Sequence, residues 1–204
     1  MHVLDQTILG IVILVLLGIL VVAKQIATGS ILEKPTGSFL LRLVNTFNLF
    51  FLLVVNPLAA ILLIMRNLEV VDPTHLAVNP AWLLIVLEIA GLGLYVLGFL
   101  LMAWALIKLG RVYLLGGSAP RVADKMIVVG PYRLVRHPMY TAALCIALGL
   151  AGLSQSLAFL VVFCIYLVLL VLLIPVEEEK LQRAYGEEYV AYRQKVKRLV
   201  PFLY

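Results

Sequence analysis

Five long apolar runs joined by short polar connections dominate this chain, at residues 4–23, 39–65, 82–106, 139–153 and 157–174. Hydrocarbon offers no water to a peptide N–H or C=O, so such runs must close their hydrogen bonds internally as helices or around a closed barrel. The runs are continuously apolar where barrel strands would alternate, and this selects helices. At about 1.5 Å rise per residue, ~20 residues cross a bilayer, so the fourth run is short and is expected to lean on its neighbours. Across 204 residues the hydrophobic share is 64% and the mean hydropathy +1.10, where about half is usual for a soluble domain. The expected fold is all-α, a multi-pass transmembrane helical bundle with five predicted spans and a cytoplasmic C-terminal helical segment.

Basic residues set the expected orientation. With five crossings, one side receives Lys24, Lys34, Arg42, Lys108, Arg111, Arg121, Lys125, Arg133, Arg136, Lys180, Arg183, Arg193, Lys195, Lys197 and Arg198, and the other only Arg66. This asymmetry predicts an outside N-terminus and a cytoplasmic C-terminus. The first run has no basic n-region before it and no small-x-small pattern after it, so it is read as a retained helix, not a secretory signal. The formal charge of +5 follows from topology and contact with anionic lipid headgroups, and nucleic acid is not an expected partner. Cys145 and Cys164 fall inside predicted helices without partners for a disulfide or a metal site, so they are read as apolar packers and no metal is expected.

The chemistry is unevenly distributed. Residues 1–106 supply three helices, read as the substrate- or lipid-facing half, while residues 107–204 hold 12 of the 16 basic residues and are read as the cofactor-binding half. In the second run Arg42, Asn45 and Asn48 recur at three-residue spacing on one helical face. The stripe either lines a substrate cavity or pairs two interhelical asparagines with an arginine that snorkels to the headgroups. Asn56-Pro57 should kink the same helix. Glu88, a carboxylate well inside a predicted span, must face protein or water, as a substrate-cavity residue or as partner to a basic or amide group. The connection at 107–138 is basic and turn-rich around Gly116-Gly117-Ser118-Ala119-Pro120, suited to anionic lipid or to folding over a carboxylate-bearing cofactor. After Pro175, Leu181, Ala184, Tyr185, Tyr189, Tyr192 and Val196 follow helical spacing that Gly186 should break. Three tyrosines on that face favour capping the bundle over lying on the membrane.

Gly130-Pro131-Tyr132-Arg133-Leu134-Val135-Arg136-His137-Pro138-Met139-Tyr140 is followed 40 residues after His137 by Glu177-Glu178-Glu179. The two intervening apolar runs, turned at Ser154-Gln155-Ser156, form a membrane hairpin that returns the glutamates to the level of the histidine. Proline after His137 biases the histidine out of helical geometry, leaving its imidazole at the mouth of the fourth helix.

Leu109-Gly110-Arg111, Gly130-Pro131-Tyr132, Arg136-His137-Pro138-Met139-Tyr140 and Glu177-Glu178, with Leu181, Tyr185-Gly186, Tyr189, Tyr192 and Pro201, closely resemble the membrane methyltransferases typified by isoprenylcysteine carboxyl methyltransferase and, more distantly, phospholipid N-methyltransferases. The resemblance covers roughly residues 107–204. It implies a multi-pass enzyme using S-adenosylmethionine on a lipophilic or prenylated small substrate, in a bacterial or archaeal cell membrane or the endoplasmic reticulum. By position, Gly130, Tyr132, His137, Pro138 and Tyr140 would shape the cofactor pocket, and Glu177 and Glu178 would bind its polar groups. Arg136 or protonated His137 would suit the cofactor carboxylate, with His137 also the candidate base for an amine or thiol acceptor. Arg42, Asn45, Glu88 and Arg133 are the candidate substrate contacts. One departure bears on the acceptor: the arginine expected four residues before the first paired glutamate is here Leu173. The competing readings are an NADPH-dependent membrane reductase of the steroid or sterol reductase type and a non-enzymatic membrane scaffold.

Overall fold

A computed structural model describes residues 3–29, 38–110 and 125–201. The basic positions Lys34, Arg111 and Arg121, together with Asp124 and the turn sequence at 116–120, lie outside the described residues. Among those described the elements are helical: α1 (Gln6–Thr28), α2 (Phe39–Phe50), α3 (Asn56–Ile64), α4 (Leu68–Val71), α5 (Ala81–Leu109), α6 (Pro138–Ser154), α7 (Leu157–Tyr185) and α8 (Glu187–Lys195). A π turn at Phe51–Val55 joins α2 to α3, and a 3-10 turn at Gly130–Arg133 precedes α6.

Among the described residues four helices are long and apolar enough to cross a membrane: Gln6–Thr28, Phe39–Ile64, Ala81–Leu109 and Leu157–Tyr185. The fifth apolar run folds as the 17-residue α6, about 25 Å long against ~30 Å of hydrocarbon. The molecule is therefore an integral membrane helical bundle with four full-length candidate spans and one shorter apolar helix, where five spans are expected from the sequence. Neighbours pair around the bundle as α1 with α3 and α5, α5 with α6, α6 with α7, and α7 with α2.

The short α6 survives because it packs backbone to backbone on α5. An added Cβ would meet Leu153 N at 2.9 Å from Gly91, Ala142 O at 2.7 Å from Gly98, and Tyr95 N at 2.6 Å from Gly149. Small residues at these crossings let dispersion contacts hold two helices together where lipid supplies no hydrophobic force between them. Gly93, two residues from Gly91, has open space where its Cβ would stand.

The interruption expected at Asn56-Pro57 takes the form of the π turn. Proline has no N–H and its ring crowds the carbonyl four residues earlier, so the helix widens by one residue. Asn56 Nδ2 then donates to Phe51 O at 2.7 Å, and Tyr95 OH donates to Asn56 Oδ1 at 2.6 Å. At the end of the bundle where α6 meets α7, Leu76 N donates to Gln155 O at 2.9 Å and Leu157 N to Thr74 O at 3.2 Å, clamping the hairpin turn. Glu88 sits fully buried at this end, accepting from Val3 N at 3.0 Å, Leu4 N at 2.8 Å and Gln155 Nε2 at 3.4 Å. Of the two readings open for Glu88, the fold realises partnership with amide groups, and it does so a full α6 length away from His137.

The last helix corrects an expected boundary. The sequence places the end of the fifth run at residue 174 with a separate segment after Pro175, yet α7 continues through Pro175 to Tyr185. Gly186 stops it at φ +55, ψ −131, a conformation suited to glycine, and α8 starts immediately afterwards. Replacing Gly91 by Leu should overpack the α5–α6 crossing by about 2 kcal/mol or more, lowering the unfolding midpoint in detergent by roughly 4–8 °C. Gly93→Leu should leave it within about 2 °C; equal midpoints for the two variants would contradict this packing.

Candidate functional site

The site is assembled from three pieces of chain: the turn entering α6, the end of α7 and the segment after α8. Pro138 occupies the first turn of α6, where its missing N–H leaves no helical bond unmade, and it holds His137 out of the helix at φ −120, ψ 60. Because α7 runs on past its apolar portion, it carries Glu177 and Glu178 up to this turn. Consecutive helical residues diverge by about 100°, and the two carboxylates accordingly straddle the imidazole. His137 Nδ1 is 3.8 Å from Glu177 Oε2, and His137 Nε2 is 3.4 Å from Glu178 Oε1. Tyr140 stacks on the His137 ring at 5.6 Å between centroids and 14° between planes, and its hydroxyl donates to Glu177 Oε1 at 2.7 Å.

Glu178 is buried and fully engaged. Arg136 Nε and Nη2 donate to its Oε1 at 2.8 and 2.6 Å, while Arg198 Nε and Nη2 donate to Oε2 at 3.1 and 3.0 Å. A carboxylate has about four lone-pair sites, and four N–H groups occupy them. Arg136 spends its remaining nitrogen on the carbonyls of Arg193, at 3.0 Å, and Val196. In this structure the acceptor sites of Glu178 are taken by guanidinium N–H groups, and Arg136 ties α7 to the end of α8.

The remaining polar capacity is specific. Among the described residues His137 Nε2 is buried without a hydrogen-bond partner. Glu177 Oε2 has no hydrogen bond among the described residues, and its side chain is 17% exposed. The unfilled Glu177 oxygen, with His137 Nδ1 3.8 Å from it, suits a ligand that carries hydroxyl or ammonium donors and a positive charge.

The chain after α8 completes the wall. Val135 pairs with Lys197 in a parallel bridge, Arg136 N donates to Lys197 O at 2.7 Å, and His137 N donates to Arg198 O at 3.0 Å. Thr141 Oγ1 donates to Leu199 O at 2.8 Å. Tyr189 is buried, and Tyr192 OH donates to Tyr132 O at 2.5 Å. Burial pushes the Tyr192 phenol up to about 12, so it remains a neutral donor at physiological pH. The tyrosine face of this segment therefore folds onto the turn that carries His137.

The other expected residues scatter. Gly130, at φ +62, packs toward α5, where a Cβ would lie 2.9 Å from Lys108 Cγ and 3.2 Å from Trp104 Nε1; it seats the turn on α5. Tyr132 and Pro138 are buried and Arg133 is exposed. The stripe on α2 divides, with Arg42 exposed and Asn45 buried. Arg198 escaped sequence reasoning. Its signal was only one more cation in the basic tail Arg193-Gln194-Lys195-Val196-Lys197-Arg198, and its partner lies 20 residues earlier in the chain.

Comparison with known proteins gives this geometry a lineage. The chain is similar to protein-S-isoprenylcysteine O-methyltransferase B of Arabidopsis thaliana, 32% identical over 118 residues, which cover 55% of this chain and 58% of the relative. The chain thus spans less than two thirds of the length of that curated relative. The family profile described as phospholipid methyltransferase matches residues 86–188, just over half of the chain, from the second turn of α5 through α6 and α7 into α8, and it includes His137, Tyr140, Glu177 and Glu178. This chain belongs to the phospholipid methyltransferase family.

Proposed function

We propose that the chain is an integral membrane methyltransferase that takes its methyl group from S-adenosylmethionine and delivers it to a lipophilic acceptor entering from the bilayer. The observation that carries this reading is the juxtaposition of His137 and Glu177 across the α6–α7 hairpin, with unsatisfied polar atoms on both, in a chain of the phospholipid methyltransferase family. The orientation that fits is the one read from charge, with this end of the bundle in the cytoplasm.

S-adenosylmethionine supplies an activated methyl on a sulfonium cation, beside an ammonium and ribose hydroxyls. Glu177 is the acceptor for those donors, held in place by the Tyr140 hydroxyl. Tyr140 and His137 form a stacked wall that excludes water from one side. Transfer requires the acceptor atom, the methyl carbon and the sulfur to lie in line, so the residues contribute chiefly by positioning. His137 takes a proton from an amine or thiol acceptor, whereas a carboxylate acceptor needs no base. The methyl-donor site rests on residues 107–204 and acceptor choice chiefly on residues 1–106, with Arg42 and Asn45 on α2 as candidate contacts and the exposed Arg133 as a further one from the donor half.

The relative's name favours O-methylation of an isoprenylcysteine, for which a carboxylate acceptor is the reading proposed here. Leu173 weighs on the other side: it is fully buried, so the position that would offer a guanidinium to a carboxylate offers hydrocarbon. N-methylation of a lipid amine is the alternative acceptor chemistry. Membership of a methyltransferase family lends no support to the NADPH reductase reading.

In detergent, the native chain should bind S-adenosylmethionine and S-adenosylhomocysteine by isothermal titration. His137→Ala and Glu177→Gln should each weaken binding by about tenfold or more, the worth of one charge-assisted hydrogen bond. A folded chain that binds neither ligand rejects the proposal. With radiolabelled S-adenosylmethionine, label should pass to a prenylcysteine carboxylate or to the amine lipids of a membrane extract. Base-labile label marks an ester, base-stable label an N-methyl group, and no transfer to either acceptor rejects the lipophilic-substrate reading.

A further inference from the structure

We infer that Arg198 is a positioning residue of the methyl-donor site, and that the chain at 196–199 is a structural wall of that site and not a tail. The inference rests on the reading of His137 and Glu177 as donor-binding residues. Three observations lead to it. Arg198 supplies two of the four N–H groups that saturate Glu178, and does so on the oxygen that Arg136 leaves open. Glu178 is adjacent to Glu177 on α7, and its Oε1 lies 3.4 Å from His137 Nε2. The backbone of the same segment holds the turn directly, through His137 N to Arg198 O at 3.0 Å and Thr141 Oγ1 to Leu199 O at 2.8 Å.

The physical consequence is a closed loop of constraints. The Arg198 side chain fixes the Glu178 end of α7, its carbonyl fixes the backbone of His137, and the imidazole therefore stands at a set distance from both glutamates. Arg136 closes the loop through Val196 O. Glu178 is 6% exposed at its side chain, Arg136 9% and Arg198 30%, so the carboxylate is shielded and depends on its guanidinium partners. A buried carboxylate that loses one partner seeks another, and His137 Nε2 stands 3.4 Å from its other oxygen, Oε1. Without Arg198, Oε2 loses both of its donors, and Glu178 would re-aim between Arg136 and the imidazole, shifting His137 from its place beside Glu177. Lysine would keep the charge but lacks the rigid fork that places two N–H groups on one oxygen.

The test uses the full chain in detergent and S-adenosylhomocysteine as the probe. Arg198→Met should weaken binding by tenfold or more and Arg198→Lys by a smaller factor, about two- to fivefold. In the ligand-free protein, Arg198→Met should speed amide hydrogen exchange at 135–141 and leave α1 and α5 unchanged, which general destabilisation would not do. If the Met variant does not fold, the Lys variant decides alone. Binding within twofold of native by the deciding variant, or Arg198→Met exchange at 135–141 unchanged, overturns the inference. Failure of the native chain to bind the probe instead overturns the donor-site reading beneath it.

Discussion

Hydrocarbon cannot solvate a polar group, and the organisation of this molecule follows from that. Backbone groups are satisfied within helices, and the groups that helices cannot satisfy collect where the helices end. Two buried carboxylates mark the two ends. Glu88 is held by the amides of Val3 and Leu4 and by Gln155, and Glu178 by the forks of Arg136 and Arg198. Each ties residues distant in sequence; removing Glu88 would strand amide N–H groups, and removing Glu178 would strand guanidinium charge. Glu88 closes an end built of backbone amides, while Glu178 closes an end that also leaves His137 and Glu177 with capacity for a ligand.

Between these ends the bundle is held by fit. The α5–α6 crossing works because glycine and alanine let backbones approach, and the Asn56–Tyr95 pair absorbs the break in the ladder at Pro57. A short α6 is workable only because its partner is close along its whole length. That rigid pair fixes where Pro138, and hence His137, emerges, while α7 independently delivers Glu177. The site is the meeting of two elements positioned for different reasons, one by close packing and one by helix continuation through Pro175.

Much of this was legible in the chain. Apolar runs predicted the helices, because the requirement for internal hydrogen bonding leaves few alternatives. The hairpin length placed Glu177 near His137, because helical rise is nearly constant. Less legible were the partners of the charges. Nothing in the run Glu177-Glu178-Glu179 says that the first is left with a free oxygen, the second saturated by two guanidinium groups, and the third paired with Arg183 on the exposed side. Those fates follow from a 100° step per residue against neighbours that only the fold supplies.

The sequence by itself determined that this is a membrane helical bundle with a histidine and a glutamate pair brought to one level, since periodicity, hydropathy and rise per residue are local properties. Tertiary structure decided which polar residues keep chemistry to offer. Arg136 and Glu178 became ties, Glu88 an anchor for the first helix, Gly130 a seat on α5, and Arg198 a partner of Glu178. Hydrogen-bond saturation is a property of neighbours in space, and residues 136, 178 and 198 become neighbours only when the hairpin and the final segment close on each other.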